Sequence, residues 1–247
     1  RPRQAGGVQA RLEGLPPAEG AFARADGPVE FEFPKDHGPH PDFQTEWWYY
    51  TGNLQAADGR RYGYQLTFFR RAVSAPDERS LRESQWAADQ VYLAHFALTD
   101  VDGGQFHAEE RFERGAAGLA GAEGQPAFAV WLQDWRVEQT GKDTYRLAAE
   151  QEGVSIALEL TDRKGPVLQG EAGYSQKGPE AGNASYYISQ TRLESSGTMR
   201  VNGEEVGVSG WSWMDHEYST SALSEGQVGW DWFSIQLDND REMMVYT

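Results

Sequence analysis

Cysteine is absent from the 247 residues, which excludes disulfides, thiolate nucleophiles and zinc–thiolate centres and leaves the redox compartment open. Long apolar runs are missing too. Nothing approaches the roughly 18 consecutive apolar residues of a membrane helix, and no apolar segment of signal-peptide type stands at the start. Positive charge is scarce: 22 Lys and Arg stand against 38 Asp and Glu, a formal net charge of −16. Such a chain repels phosphate backbones and anionic lipid, so nucleic acid is a poor partner. There is no Gly-x-Ser-x-Gly elbow, no phosphate-cradling glycine loop and no dinucleotide fingerprint. Helical periodicity is nearly absent, "DERSLRESQWAADQ" (77–90) being the one segment predicted as a helix.

What the chain has is aromatic and β-branched residues, in short runs broken by Gly, Asp and Asn from about residue 29 onward. Strands are predicted at 46–54, 61–71, 90–100, 128–139, 144–151, 154–162, 184–201, 206–217 and 229–240. Turn chemistry joins several of them: "AADGR" (56–60), "TDVDGGQ" (99–105) and Asn202-Gly203, which favours a tight hairpin. The expected fold class is all-β, an antiparallel sheet closed into a barrel or stacked as a sandwich. Residues 1–28, rich in Gly, Ala and Pro and lacking periodicity, read as a flexible tether or processed N-terminus, which suits an exported protein, periplasmic or secreted. The final "REMMVYT" reads as a strand following the turn "LDND". A hairpin begun there has an open edge, so further chain or a partner segment is expected to complete it.

Titratable residues gather in "GWSWMDHEYST" (210–220). On a strand, Asp215 and Glu217 share a face with Trp211 and Trp213, while His216 joins Met214 and Tyr218. A β-bulge would let two of the three meet in one cavity. The triplet is readable as metal ligands, as acid/base machinery or as a structural polar network. Of the five histidines only His37 and His40 are close in sequence, which gives the metal reading little support. Asp231, in "GWDWFSIQL", alternates with Phe233, Ile235 and Leu237, and a carboxylate on an apolar face is expected to have a raised pKa, as a general acid needs. His95 lies among Val91, Leu93 and Ala97; Glu46 alternates with Trp48 and Tyr50; Tyr186 and Tyr187 offer one phenol to each face. Ser212 shares a face with His216, the sole hint of a hydrolase triad. Nine tryptophans, clustered as "EWW", "WLQDW", "WSW" and "WDW", either line a concave surface for an elongated apolar ligand or fill a wide barrel.

The stretches "HPDFQTEWWYYTGNL" (40–54), "YGYQLTFFRR" (62–71), "AHFALTD" (94–100), "SYYISQTRL" (185–193), "SGWSWMDHEYSTSAL" (209–223) and "GWDWFSIQLDN" (229–239) resemble the carotenoid 1,2-hydratase-like family, also called the hydroxyneurosporene synthase or AttH family. The resemblance implies two lipocalin-like β-domains, here 29–206 and the beginning of a second at 207–247. Its hydratase branch adds water across a terminal isoprenoid double bond without a cofactor. By motif position His216 matches the His of a His-Glu-Trp stretch, where this chain has Tyr218 in place of Trp. That version is similar to the exported AttH-like branch, commonly encoded with ABC transporter components. The expectation is therefore a hydratase or hydrolase with Asp215, His216 and Asp231 as acid/base groups. Around them, Glu46, Trp48, Tyr50, His95, Tyr187, Trp213, Glu217, Tyr218 and Trp230 would surround a hydrophobic small molecule, with no cofactor, no metal and no membrane-spanning segment. The alternatives are a non-catalytic carrier of hydrophobic cargo and a structural or adhesive surface domain.

Overall fold

The computed structural model describes residues 21–76, 87–220 and 229–246. Among them are fifteen strands. They are β1 (Thr45–Ala56), β2 (Arg61–Ala72), β3 (Gln90–Asp100), β4 (Gln105–Arg114), β5 (Ala120–Glu123), β6 (Ala129–Leu132), β7 (Trp135–Gly141), β8 (Thr144–Gln151), β9 (Val154–Asp162), β10 (Pro166–Leu168), β11 (Tyr174–Gln176), β12 (Ala184–Val201), β13 (Glu204–Ser219), β14 (Trp232–Gln236) and β15 (Glu242–Tyr246). A single 3-10 turn, Lys35–His37, is the only helical element among the described residues, and no helix there is long and apolar enough to cross a membrane.

Thirteen strands form one antiparallel sheet in the order β4-β3-β2-β1-β13-β12-β9-β8-β7-β6-β5, with β10 and β11 pairing to β12. The sheet curls until β2, β3 and β4 approach β5 and β6, giving a nearly closed barrel. Period-two patterning builds it. In β1 the side chains of Glu46, Trp48, Tyr50 and Leu54 point inward and are buried, while Trp47, Tyr49 and Thr51 face out. Tyr50, Tyr64, Leu66, Phe68, Phe128, Trp135, Tyr145 and Leu147 pack into one continuous core, so many of the rings fill the barrel. At Gly52 a Cβ would come within 2.5 Å of the Ser212 hydroxyl and 2.6 Å of the Tyr64 ring, so only glycine admits the Tyr64–Ser212 hydrogen bond of 2.8 Å beneath it. Ser212 is thereby bound to Tyr64 and to Ser195, at 2.7 Å, rather than to His216.

The predicted strands 46–54, 61–71, 90–100, 144–151, 154–162 and 184–201 are present, and Asn202-Gly203 makes the two-residue hairpin with both φ angles positive, 54° and 80°. Other expectations change. The 128–139 run is two strands, because Gln133 takes a φ of 56° and Leu132 pairs back onto Trp135. The predicted helix lies largely outside the described residues; residues 87–89 are irregular and Gln90 already begins β3. β13 runs through residue 206 without a break and pairs with β1 from Ala56↔Val208 to Thr45↔Ser219. The division drawn at 206/207 thus falls inside a barrel strand.

The separate element is the hairpin β14–β15, docked on the outside of β12 and β13. The Gln236 amide donates to the carbonyls of Thr191, 2.7 Å, and Ser212, 3.0 Å. Arg192 donates to Glu242, 2.5 Å, and to the Leu237 carbonyl, 2.8 Å, and Lys164 adds a second ion pair to Glu242. A bulge between Gln190 and Leu193 makes this docking available: both of those side chains face the core, and the extra residue lets Arg192 reach the hairpin.

Candidate functional site

The triplet at 215–217 is regular strand, so its members do not converge. Cross-strand register puts Trp48 beside His216 and Glu46 beside Tyr218, all facing the barrel interior, and puts Tyr49, Asp215 and Ser189 in one row on the outer face, with Trp47, Glu217 and Tyr187 in the next. The bulge that could have joined Asp215 to His216 lies on β12 instead. The acid/base pair expected from the sequence is therefore corrected: the two residues stand on opposite sides of the sheet.

Inside, Glu46 is fully buried and accepts from Arg70 Nε at 2.8 Å, His216 Nε2 at 2.7 Å, His40 Nδ1 at 2.9 Å and the His40 backbone N–H at 2.9 Å. Arg70 also donates to the carbonyls of His40 and Phe43, both at 2.9 Å. The rings complete the assembly. His40 stacks on Tyr218 at 3.6 Å between centroids, and His216 stacks on Trp48 at 5.0 Å. The Trp48 indole donates to the His37 carbonyl at 2.9 Å. Burial would raise the Glu46 carboxyl, but the Arg70 charge and the His216 and His40 hydrogen bonds hold it well below the usual range. Burial lowers the His216 imidazole despite Glu46, and lowers His37, beside the His216 charge, to about 4. Burial also opposes protonation of His40, yet its bonds to Asp36 and Glu46 raise it.

His40, Glu46 and His216 offer ligand atoms within 4.8 Å of one another. A divalent ion there would share Glu46 with the Arg70 guanidinium in a dry interior, where uncompensated charge is costly. The set acts as an ionic network that fastens the 36–44 segment across one end of the barrel. Tyr50, fully buried deeper in the interior, has its phenol pushed well up by burial.

On the outer face Asp215 is 4% exposed. Its Oδ1 accepts from Ser189 Oγ at 2.6 Å and Trp213 Nε1 at 2.7 Å, and the nearby Tyr187 hydroxyl is the third donor group that favours its ionised form. No cation is paired with it among the described residues. Burial, reinforced by the Glu217 charge and only partly offset by the three donors, pushes the Asp215 carboxyl up to about 7. Glu217, two residues along the same face, accepts from Ser185 at 2.5 Å and Lys177 at 2.6 Å. The roof is Trp232 of β14, whose ring lies edge-on to Tyr49 (5.5 Å) and Trp213 (6.1 Å) and whose Nε1 donates to the Tyr187 hydroxyl at 3.1 Å.

Three expected site residues lie elsewhere. Asp231 is exposed, because Phe233, Ile235 and Leu237, whose face it was expected to share, point away from the barrel into solvent. Trp230 is 53% exposed, and Trp232 covers Asp215 in its place. His95 is on the outer face but pairs with Glu110 at 2.9 Å, three strands away from Asp215. Trp48, Tyr50 and Tyr218 face the interior, apart from Asp215. Ser189, Lys177, Tyr49 and Trp232 are added by the structure. Of these, Ser189 was discoverable from its alternation with Tyr187 in "YYIS". A shallow groove of about 450 Å³ at the far ends of β1 and β13, lined by Gln55, Ala56, Gly197 and Val208 among others, holds no titratable side chain.

Residues 24–247 match the profile of the family described as AttH-like. The crystal structure of a protein assigned to AttH from Nitrosomonas europaea is 35% identical, with a TM-score of 0.79 over 91% of this chain and 67% of that one. Kievitone hydratase from Nectria haematococca is 12% identical, with a TM-score of 0.61 over 90% of this chain and 70% of its own, a likeness of fold alone. No curated protein matches. The profile match and the 35% identical relative agree over nearly the whole described sheet, and on that ground the chain belongs to the AttH-like family.

Proposed function

We propose that this protein holds an elongated apolar molecule, isoprenoid- or lipid-like, between the outer face of the barrel and the β14–β15 hairpin, and adds water across one of its carbon–carbon double bonds without a cofactor. Asp215 carries the reading: a carboxyl buried without a counter-cation beneath indole and phenol rings, still able to hold a proton near neutral pH. Protonating an alkene leaves a carbocation, which the faces of Trp213, Trp232 and Tyr49 can stabilise. Glu217, ion-paired with Lys177, takes the proton that the attacking water loses. Two residues of strand set the Cα atoms of Asp215 and Glu217 about 7 Å apart on one face. The missing nucleophile motifs favour hydration over covalent hydrolysis. His216 has no part in this chemistry; its place is the ionic network.

The proposal includes an exported, periplasmic or secreted setting, supported by the composition of residues 1–28, and association with ABC transporter components, supported by the family resemblance. It also includes a second lipocalin-like β-unit beginning at β14. Supporting that are the outward Phe233, Ile235, Leu237, Met243 and Val245 of the hairpin, all at least 40% exposed, a face that further strands would cover.

Squalene, an isoprenoid alkene, in deuterium oxide provides the test. The wild type is expected to release a product heavier by one water with one deuterium on carbon. Asp215→Asn should slow this about 100-fold or more while squalene still quenches tryptophan fluorescence. Quenching without product in the wild type replaces this reading by the carrier; neither quenching nor product removes both.

A further inference from the structure

The 36–44 segment lies as a strap across the barrel end, and one imidazole holds it at two points. His40 Nδ1 is 2.9 Å from Glu46 Oε1, and His40 Nε2 is 3.4 Å from Asp36 Oδ1. Carboxylate oxygens only accept, so a ring that faces one with each nitrogen donates twice and carries a positive charge. The ring lies flat on Tyr218, 3.6 Å between centroids and 9° between planes, a stack that suits a cation.

The other groups facing His40 fit this charge. Glu46 of β1 is ion-paired with Arg70 of β2 at 2.8 Å. His216 of β13, its ring 5.5 Å from that of His40, gives its Nε2 hydrogen to Glu46 and is kept neutral by burial. Burial also keeps His37 neutral and pushes the Tyr218 and Tyr92 phenols up. Lys35 turns to Glu32 at the exposed rim. Asp36 and Glu46 are thus balanced by Arg70 and His40. Removing the His40 proton leaves a lone pair facing a carboxylate and one negative charge uncancelled. The contact given up is the longer one, to Asp36, because Nδ1–H keeps the shorter bond to Glu46.

We infer that His40 is a pH-sensitive clasp: as an imidazolium it locks the Lys35–His37 turn and the strap onto the barrel end, and as a neutral ring it lets them open toward solvent. Its bonds to Asp36 and Glu46 raise the ring's proton affinity over the cost of burial. Clasping is therefore complete below the ordinary imidazole value, about 6.5, and is lost as pH rises past the higher value of the clasped ring. The Trp48 bond to the His37 carbonyl and the Arg70 bonds to the carbonyls of His40 and Phe43 stay in place, so the strap loosens while the barrel remains folded.

Hydrogen exchange at the amides of Gly38, His40 and Phe43, which donate within the strap or to Glu46, tests this. Expressed as protection factors, which remove the intrinsic pH dependence of exchange, they should fall at least about 5-fold from about pH 6 to about pH 9. Protection in β1–β3 should hold steady. His40→Gln, neutral at every pH, is expected to show the weaker protection throughout. Asp36→Asn, a change on a half-buried side chain, should lower both the NMR titration midpoint of His40 and the size of the step. Strap protection that does not change with pH in the wild type overturns the clasp, as does a His40 midpoint at or below about 6.5. A step of undiminished size in His40→Gln or Asp36→Asn also overturns it, by assigning the step to another group.

Discussion

Neighbouring residues of β13 titrate in opposite directions because a strand turns them to opposite faces. Burial acts on both, raising the Asp215 carboxyl to about 7 and lowering the His216 imidazole. The difference is in the partners: Asp215 has neutral donors only, while His216 and Glu46 share a network containing Arg70. The Asp215 shift sets a pH dependence of stability. Because the folded protein holds this proton to higher pH than the unfolded chain does, stability from this group is full below about pH 4 and falls as pH rises toward 7. Asp215→Asn removes that slope. Its stability relative to wild type should climb between pH 4 and 7 and level off at about 4 kcal/mol above pH 7, as read from denaturant melts across that range. A difference that stays flat with pH would show that Asp215 is ionised throughout.

At the scale of elements, the hairpin β14–β15 buries only one of its faces, and a lone two-stranded ribbon is marginal in water. Its attachment is polar and specific: Glu242, though on the last strand, is gripped by both Lys164 and Arg192. Glu242→Gln weakens both pairs, and amide exchange within 232–246 is expected to rise at least about 10-fold while β1–β3 stay protected. Equal exchange in the two proteins would mean that Trp232 and Gln236 suffice to hold the roof. The sequence made most barrel strands legible, because β1, β2, β3, β8, β9 and β12 combine β-branched and aromatic residues with period-two burial. β4, "QFHAEERFER", went unpredicted: it sits at the end of the strand order, and an end strand carries charge on both faces. The docking of the hairpin was hidden as well, since it depends on a bulge in β12 that no local composition announces.

Across the whole molecule, two clusters share one sheet. One, inside, ties a loop over the barrel end through Glu46, Arg70, His40 and His216. The other, outside, sets Asp215, Tyr49, Trp213 and Tyr187 about Trp232, with Glu217 two residues along the same face. Alternation along 210–220 correctly separated Asp215 and Glu217 from His216, but register across β1, β12 and β13 was needed to show which neighbours each acquires. Arg70, decisive for the inner cluster, looks ordinary in sequence because its partner Glu46 is 24 residues away. Asp231 misled for the opposite reason: its apolar neighbours promised burial, and the face they form is exposed. The account depends on Asp215 keeping its proton in a closed aromatic site, and carbon-13 NMR of the Asp215 carboxyl through a pH titration measures that directly. A midpoint near 7 is the predicted result; a midpoint at or below the ordinary aspartate range, near 4, would contradict it.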